Sequence, residues 1–137
     1  MGTLVRFGVS IEKSLVERFD RLLDASGYAN RSEALRDLMR SRLVQEEVSD
    51  PRASVLGVFS LVYDHHRREL ERHLKEIQHR AHHRIISATH VHVDHDTCLE
   101  VILLRGKAGE IRSLADALAG LKGVKHTSLS LTSVRGL

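Results

Sequence analysis

His90, His92, His95 and Cys98 fall in one short stretch, and Cys98 is the only cysteine in the chain. Ser87–Val93 alternates strictly and reads as a β-strand, so His90 and His92, two apart, point to one face. Asp94–Thr97 is rich in turn-forming residues, and Cys98–Leu104 reads as the returning strand. A tight hairpin of this kind brings Cys98 back beside the two imidazoles. Two nitrogens and one thiolate make a borderline-soft set, suited to nickel, copper, zinc or cobalt and poor for magnesium or calcium. The competing reading is a histidine-rich sheet surface over an inert buried cysteine. The shared hairpin favours the metal.

Three protein ligands leave a position open. His65, His66, His73, His79, His82 and His83 crowd the preceding segment, where Arg67 to about His83 reads as a charged helix. Its apolar stripe is Leu70, Leu74, Ile77 and Ala81, and at about 100° per residue His79 falls almost opposite that stripe. His79 is therefore free to reach a neighbouring subunit. His83, one turn on, offers an i, i+4 pair with it. For any one of these histidines taken alone, a solvated helix face is the simpler reading.

The elements that must position these groups follow from periodicity. Ser54–Tyr63 is rich in Val, Leu and Phe and reads as a buried strand. A helix over Ile111, Leu114, Ala115 and Leu118 opens after Gly109, and a last strand runs from about Val124 to Val134. The order is βαββαβ, a ferredoxin-like (ACT-like) split unit with both helices on one sheet face. Nothing in the chain covers the other face. One face of the His90 strand carries Ile86, Ala88, His90 and His92, a mixture suited to a metal held at a subunit interface.

Upstream, Leu4–Ser10 alternates as a short strand. Ile11, Leu15, Phe19, Leu22 and Leu23 then mark an amphipathic helix capped by Gly27, and Leu35, Leu38, Met39 and Leu43 mark a second. Asn30 or Ser32 is available as the N-cap of that second helix. One strand and two helices are too few for a monomeric core. Dimerisation, with two strands pairing as an antiparallel ribbon, solves this. Such a ribbon can enter a DNA major groove, here presenting Arg6, Gly8 and Ser10. The second helix offers its N-terminus, at Asn30, Arg31 and Ser32, to a phosphate. Glu46–Arg52, holding the only proline, reads as a linker, giving an α+β chain with domains at 1–46 and 53–137.

Composition narrows the class. The 137 residues carry a formal charge of +3, which permits an anionic partner without demonstrating one. A single cysteine forms no internal disulfide and suits a reducing cytoplasm. No apolar leader or membrane-spanning run is present, so a cytoplasmic protein with no membrane partner is expected.

Two stretches carry a resemblance. Asn30-Arg31-Ser32-Glu33-Ala34-Leu35-Arg36-Asp37, after Gly27-Tyr28, resembles the second helix of ribbon-helix-helix regulators. Gln78-His79 ahead of His82-His83, then His90-x-His92-x-x-His95-x-x-Cys98-Leu99-Glu100, resembles the metal-sensing domain of nickel-responsive transcriptional regulators. Both halves match in order, so the resemblance spans nearly the whole chain. It implies a repressor of nickel-uptake genes, active when nickel is replete and bound to a double-stranded DNA operator. It implies a homotetramer, a dimer of dimers, with one nickel(II) per subunit. The ion would sit in a plane of His90, His92 and Cys98 from one subunit and His79 from another, with His95 and Glu100 supporting from outside. It also implies a second metal site near Glu33 and Asp37. Gly8 departs from the pattern, because the reading strand there presents no side chain.

Two rivals remain at this point. A zinc hydrolase would use His90, His92 and Cys98 with a carboxylate base from Asp94, Asp96 or Glu100, but a fourth protein ligand closes the open position it needs. A metal storage protein or chaperone accounts for the surplus histidines but not for the Arg6–Ser10 strand and its helices. The expected protein is not an enzyme.

Overall fold

The computed structural model describes residues 2–135; Met1, Gly136 and Leu137, at the ends of the two expected domains, lie outside them. The chain divides into two compact units, Met1–Ser41 and Arg42–Leu137.

In the first unit, helix α1 spans Lys13–Ser26 and stops where Gly27 takes a φ of 73°, a left-handed turn that glycine adopts freely. Helix α2 spans Arg31–Ser49, so it begins in this unit and its residues from Arg42 belong to the second. Asn30 caps it, its Oδ1 accepting the Glu33 amide at 3.0 Å. Gly2–Glu12 takes no regular secondary structure, so the strand expected over Leu4–Ser10 is not formed within one chain. A strand requires a neighbour for its amides and carbonyls, and this stretch has none among the described residues. Leu4, Phe7 and Val9 are 85%, 73% and 65% exposed, while only Leu23 and Ala34 are buried among the described residues of this unit. So large an exposed apolar surface marks a unit that needs another surface to fold against.

The second unit contains β1 (Ser54–Asp64), α3 (Arg68–Arg80), β2 (Ile85–His92), β3 (Thr97–Lys107), α4 (Ala108–Ala119) and β4 (Val124–Ser133). The sheet order is β2-β3-β1-β4 with every neighbour antiparallel. This is the βαββαβ arrangement expected from the order of elements. Val55, Phe59, Leu61 and Tyr63 of β1 and Ile102 and Leu104 of β3 pack beneath Leu70 and Leu74 of α3 and Ile111, Ala115 and Leu118 of α4. Val58, Val91 and Leu103 stay exposed on the sheet.

Three details differ from the sequence reading. Helix α2 runs through Ser49, into the expected linker, and the Arg112 guanidinium binds the Val48 carbonyl at 2.8 Å in its last turn. Pro51 then ends it, and the Pro51 and Ala53 carbonyls accept the Gly109 and Ala108 amides, both at 2.9 Å. The joint is thus tied to the start of α4.

Helix α3 ends at Arg80, and His83 lies in a 3-10 turn over His82–Arg84, so His79 and His83 are not an i, i+4 pair on one helix. Ala81 is drawn into the core, 6% exposed, and turns the chain toward β2. Third, His92 pairs with Cys98, His90 with Glu100 and Ala88 with Ile102. Partners across a ladder share a face, so the histidines lie on the side the helices cover. They stay exposed because β2 is an edge strand.

Candidate metal centre

Strand register builds the centre at one end of the sheet. Tyr63 and Asp64 close β1 opposite Cys98 and Thr97, which open β3, and His92 closes β2 opposite Cys98. The backbone amide of His65 donates to the Asp96 carbonyl at 2.8 Å, which fastens the exit of β1 to the β2–β3 hairpin. Asp94 Oδ1 stiffens that hairpin by accepting the Asp96 and Thr97 amides at 2.9 and 2.8 Å.

Cys98 is fully buried and unpaired with any other cysteine. Its Sγ lies 3.4 Å from His92 Nδ1 and 3.3 Å from His65 Nδ1. The three donor atoms lie within 4.8 Å of one another. Ligands bound to one ion at about 2.3 Å for sulfur and about 2.0–2.1 Å for nitrogen stand about 3.1–3.6 Å apart at angles between a square and a tetrahedron. The observed separations fall inside that window, so these donors fit one borderline transition-metal ion. The thiol itself is pushed above its ordinary range by burial, and the charges of Glu71, Glu100 and Asp94 add to that, against a lowering hydrogen bond from Tyr63. A metal cation supplies the positive charge that would favour the thiolate here.

The sequence-derived ligands divide. His92 and Cys98 are brought together. His90 stands one ring away, its centroid 5.0 Å from that of His92, and its Nε2 is 3.4 Å from the Tyr63 hydroxyl. Burial and the nearby Glu100 charge hold that phenol protonated well above its usual range. Glu100 accepts a hydrogen bond from Gln78 Nε2 at 2.9 Å. Tyr63, Gln78, His90 and Glu100 line a small pocket of about 120 Å3 beside the centre. His79, in the last turn of α3, neighbours His82 at 6.1 Å between rings and does not join the centre within one chain.

His95 faces Asp96, not Cys98. His65, among the candidates for a fourth ligand, reaches the sulfur; only the pairing of Tyr63 with Cys98, a long-range register, puts it there. Asp37 lies 3.5 Å from the Arg40 guanidinium, and its hydrogen bond with the Tyr28 hydroxyl, then its charge, raises that phenol above its ordinary range.

In the first unit, Arg6, Gly8 and Ser10 lie on the unpaired N-terminal stretch, and a side chain at Gly8 would meet nothing within 4 Å. Arg31 is engaged: its Nε and Nη2 donate to Asp20 Oδ1 and Oδ2 at 2.8 and 2.6 Å. Asn30 serves as the α2 cap, and the Ser32 carbonyl accepts Arg36 Nε at 3.3 Å.

Comparison with known proteins places both units. Residues 56–132 match the NikR C terminal nickel binding domain, and residues 5–46 match the ribbon-helix-helix protein, copG family. A relative from Trichlorobacter lovleyi is 50% identical over 97% of this chain and 96% of its own length. One from Pelobacter propionicus is 51% identical over the same shares. Both carry the provisional name of nickel-responsive regulator. Among solved structures, an uncharacterized protein from Thermotoga maritima aligns with a TM-score of 0.52 at 16% identity, covering 57% of this chain and 96% of its own; that likeness concerns the fold alone.

Together these define a DNA-binding regulator with a metal-binding domain, not an enzyme. The chain belongs to the nickel-responsive regulator family, which joins a ribbon-helix-helix domain to a NikR-type nickel-binding domain.

Proposed function

We propose that this chain represses nickel-uptake genes in the cytoplasm when nickel is replete, binding one nickel(II) per subunit. The observation that carries the reading is the convergence of His92 on the buried Cys98 thiol at the sheet end, with the His90 ring 5.0 Å from that of His92. In this reading His90, His92 and Cys98 of one subunit and His79 of a neighbour hold the ion. Tyr63 and Glu100 steady His90 and the thiol's surroundings. Held by these four side chains, nickel(II) would supply a cross-link between two subunits.

The exposure of His79 supports its reaching another copy of the chain. The uncovered sheet residues Val58, Val91 and Leu103 suit the core of a homotetramer, in which four nickel-binding domains carry a ribbon-helix-helix dimer at each end. The domain division in this reading is 1–46 and 53–137. Cross-linking the core restricts where the two dimers sit, so both meet their half-sites together, and tethering raises affinity by effective concentration. By linkage, operator DNA tightens nickel binding by the same factor. Arg6 and Ser10 read bases beside Gly8, and the α2 N-terminus at Asn30, Arg31 and Ser32 anchors the backbone. In this reading Glu33 and Asp37 help build a second metal site.

The test is selection of duplexes from a random DNA pool by the full-length protein, with nickel(II) and with a chelator. Enrichment of one symmetric sequence with nickel alone supports the reading. Equal enrichment under both conditions, or in Cys98→Ala with nickel, overturns the metal switch.

A further inference from the structure

A second group of metal-binding side chains lies apart from Cys98. His66, from the loop between β1 and α3, and His95 and Asp96, from the β2–β3 hairpin, bring their donor atoms within 4.8 Å of one another. Asp96 Oδ1 lies 2.8 Å from His66 Nε2 and 3.1 Å from His95 Nδ1. The His66 and His95 ring centroids are 5.2 Å apart. All three side chains face solvent, at 51% exposure for His66, 87% for His95 and 71% for Asp96.

This grouping is built by the backbone rather than by chance meeting of long side chains. The His65 amide binds the Asp96 carbonyl at 2.8 Å, and the His66 amide binds Asp64 Oδ1 at 2.9 Å. Asp94 holds the hairpin amides. Short, low-entropy side chains on two cross-tied turns lose little freedom on closing round an ion.

We infer that His66, His95 and Asp96 form a second, solvent-facing site for a borderline divalent cation such as nickel(II) or cobalt(II). Two imidazoles and a carboxylate, with no thiolate, suit an ion that keeps water in its remaining positions. Nickel held this way is octahedral, high-spin and paramagnetic, unlike nickel in a plane with a thiolate. The inference stands on these three residues and does not depend on how the Cys98 centre is filled.

The experiment titrates full-length protein with nickel(II). Thiolate charge-transfer absorbance follows the Cys98 centre, while imidazole resonances in histidine-labelled protein report paramagnetic broadening residue by residue. The expected result is broadening of His66 and His95 that continues after the thiolate band has saturated. His66→Gln, and separately Asp96→Asn, should each abolish that broadening while leaving the thiolate band at full amplitude. The inference is overturned if the two rings never broaden, if broadening survives in both variants, or if it spreads equally to His73, His79, His82 and His83. Should the thiolate band fail to appear, the function proposed above falls, and the ring resonances still decide this site.

Discussion

His65 Nδ1 lies 3.3 Å from Cys98 Sγ, although 33 residues separate them in the chain. The approach exists because β1 and β3 run antiparallel in a register that sets Tyr63 against Cys98, leaving His65 to follow just beyond the strand end. It places at the sulfur a nitrogen donor other than the proposed ligand His90.

That relationship yields a prediction. His90→Ala should keep a thiolate charge-transfer band with a shifted wavelength, and nickel affinity should fall by more than the roughly 10–100-fold that loss of an outer-shell partner costs. His65→Ala should leave the spectrum in place and alter chiefly the rate of loading. Stopped-flow absorbance on both variants checks this. Loss of the band in His65→Ala would make His65 an essential ligand.

Acidity gives the next. Burial keeps the Cys98 thiol protonated above its ordinary range, so nickel binding at neutral pH must release that proton. The sign follows: affinity rises with pH while the thiol is protonated and falls as the medium is acidified. Each pH unit between about 7 and 8 changes the nickel affinity by about tenfold through this one proton. In Cys98→Ala that slope should drop by about one proton. Competition titrations at several pH values measure it.

The pair between Arg31 and Asp20 bears on DNA. Two of the five Arg31 N–H donors, on Nε and Nη2, go to the Asp20 carboxylate, whose acidity the guanidinium increases. Asp20→Asn removes a competitor for phosphate. DNA affinity should rise several-fold, and its dependence on salt should steepen by about one counterion. Weaker binding would show instead that Asp20 holds Arg31 in its working orientation. Anisotropy titrations at several salt concentrations discriminate.

Gly123 sits before β4 with a φ of 102°, and a Cβ there would lie 2.6 Å from the Arg67 side chain. Gly123→Ala should destabilise the second unit by about 1–3 kcal/mol from backbone strain. Thermal unfolding, compared with Gly8→Ala, checks it. Gly8 meets nothing within 4 Å, so its substitution should leave stability unchanged.

Much of this was legible in the residues. Alternation in Val91, the apolar stripe of Leu70 and Leu74, and the turn chemistry of Asp94 are local signals, and each element they mark is present. The hairpin pairing of His92 with Cys98 follows from the same local signals. What stayed hidden is long-range. No periodicity tells that Tyr63 faces Cys98, so the reach of His65 to the sulfur was not visible. His95 is near Cys98 in sequence yet turns to Asp96 and His66, because Asp94 bends the hairpin away. The Leu4–Ser10 strand is encoded but needs a second chain's hydrogen bonds, so one chain cannot display it.

The most direct test of the central claim is an absorption titration of the full-length protein with nickel(II), beside Cys98→Ala. The account predicts thiolate charge-transfer bands and square-planar ligand-field features that saturate at one nickel per chain and vanish in the variant. Octahedral, sulfur-free spectra in both proteins would contradict it, and the Cys98 centre would then not be where nickel acts.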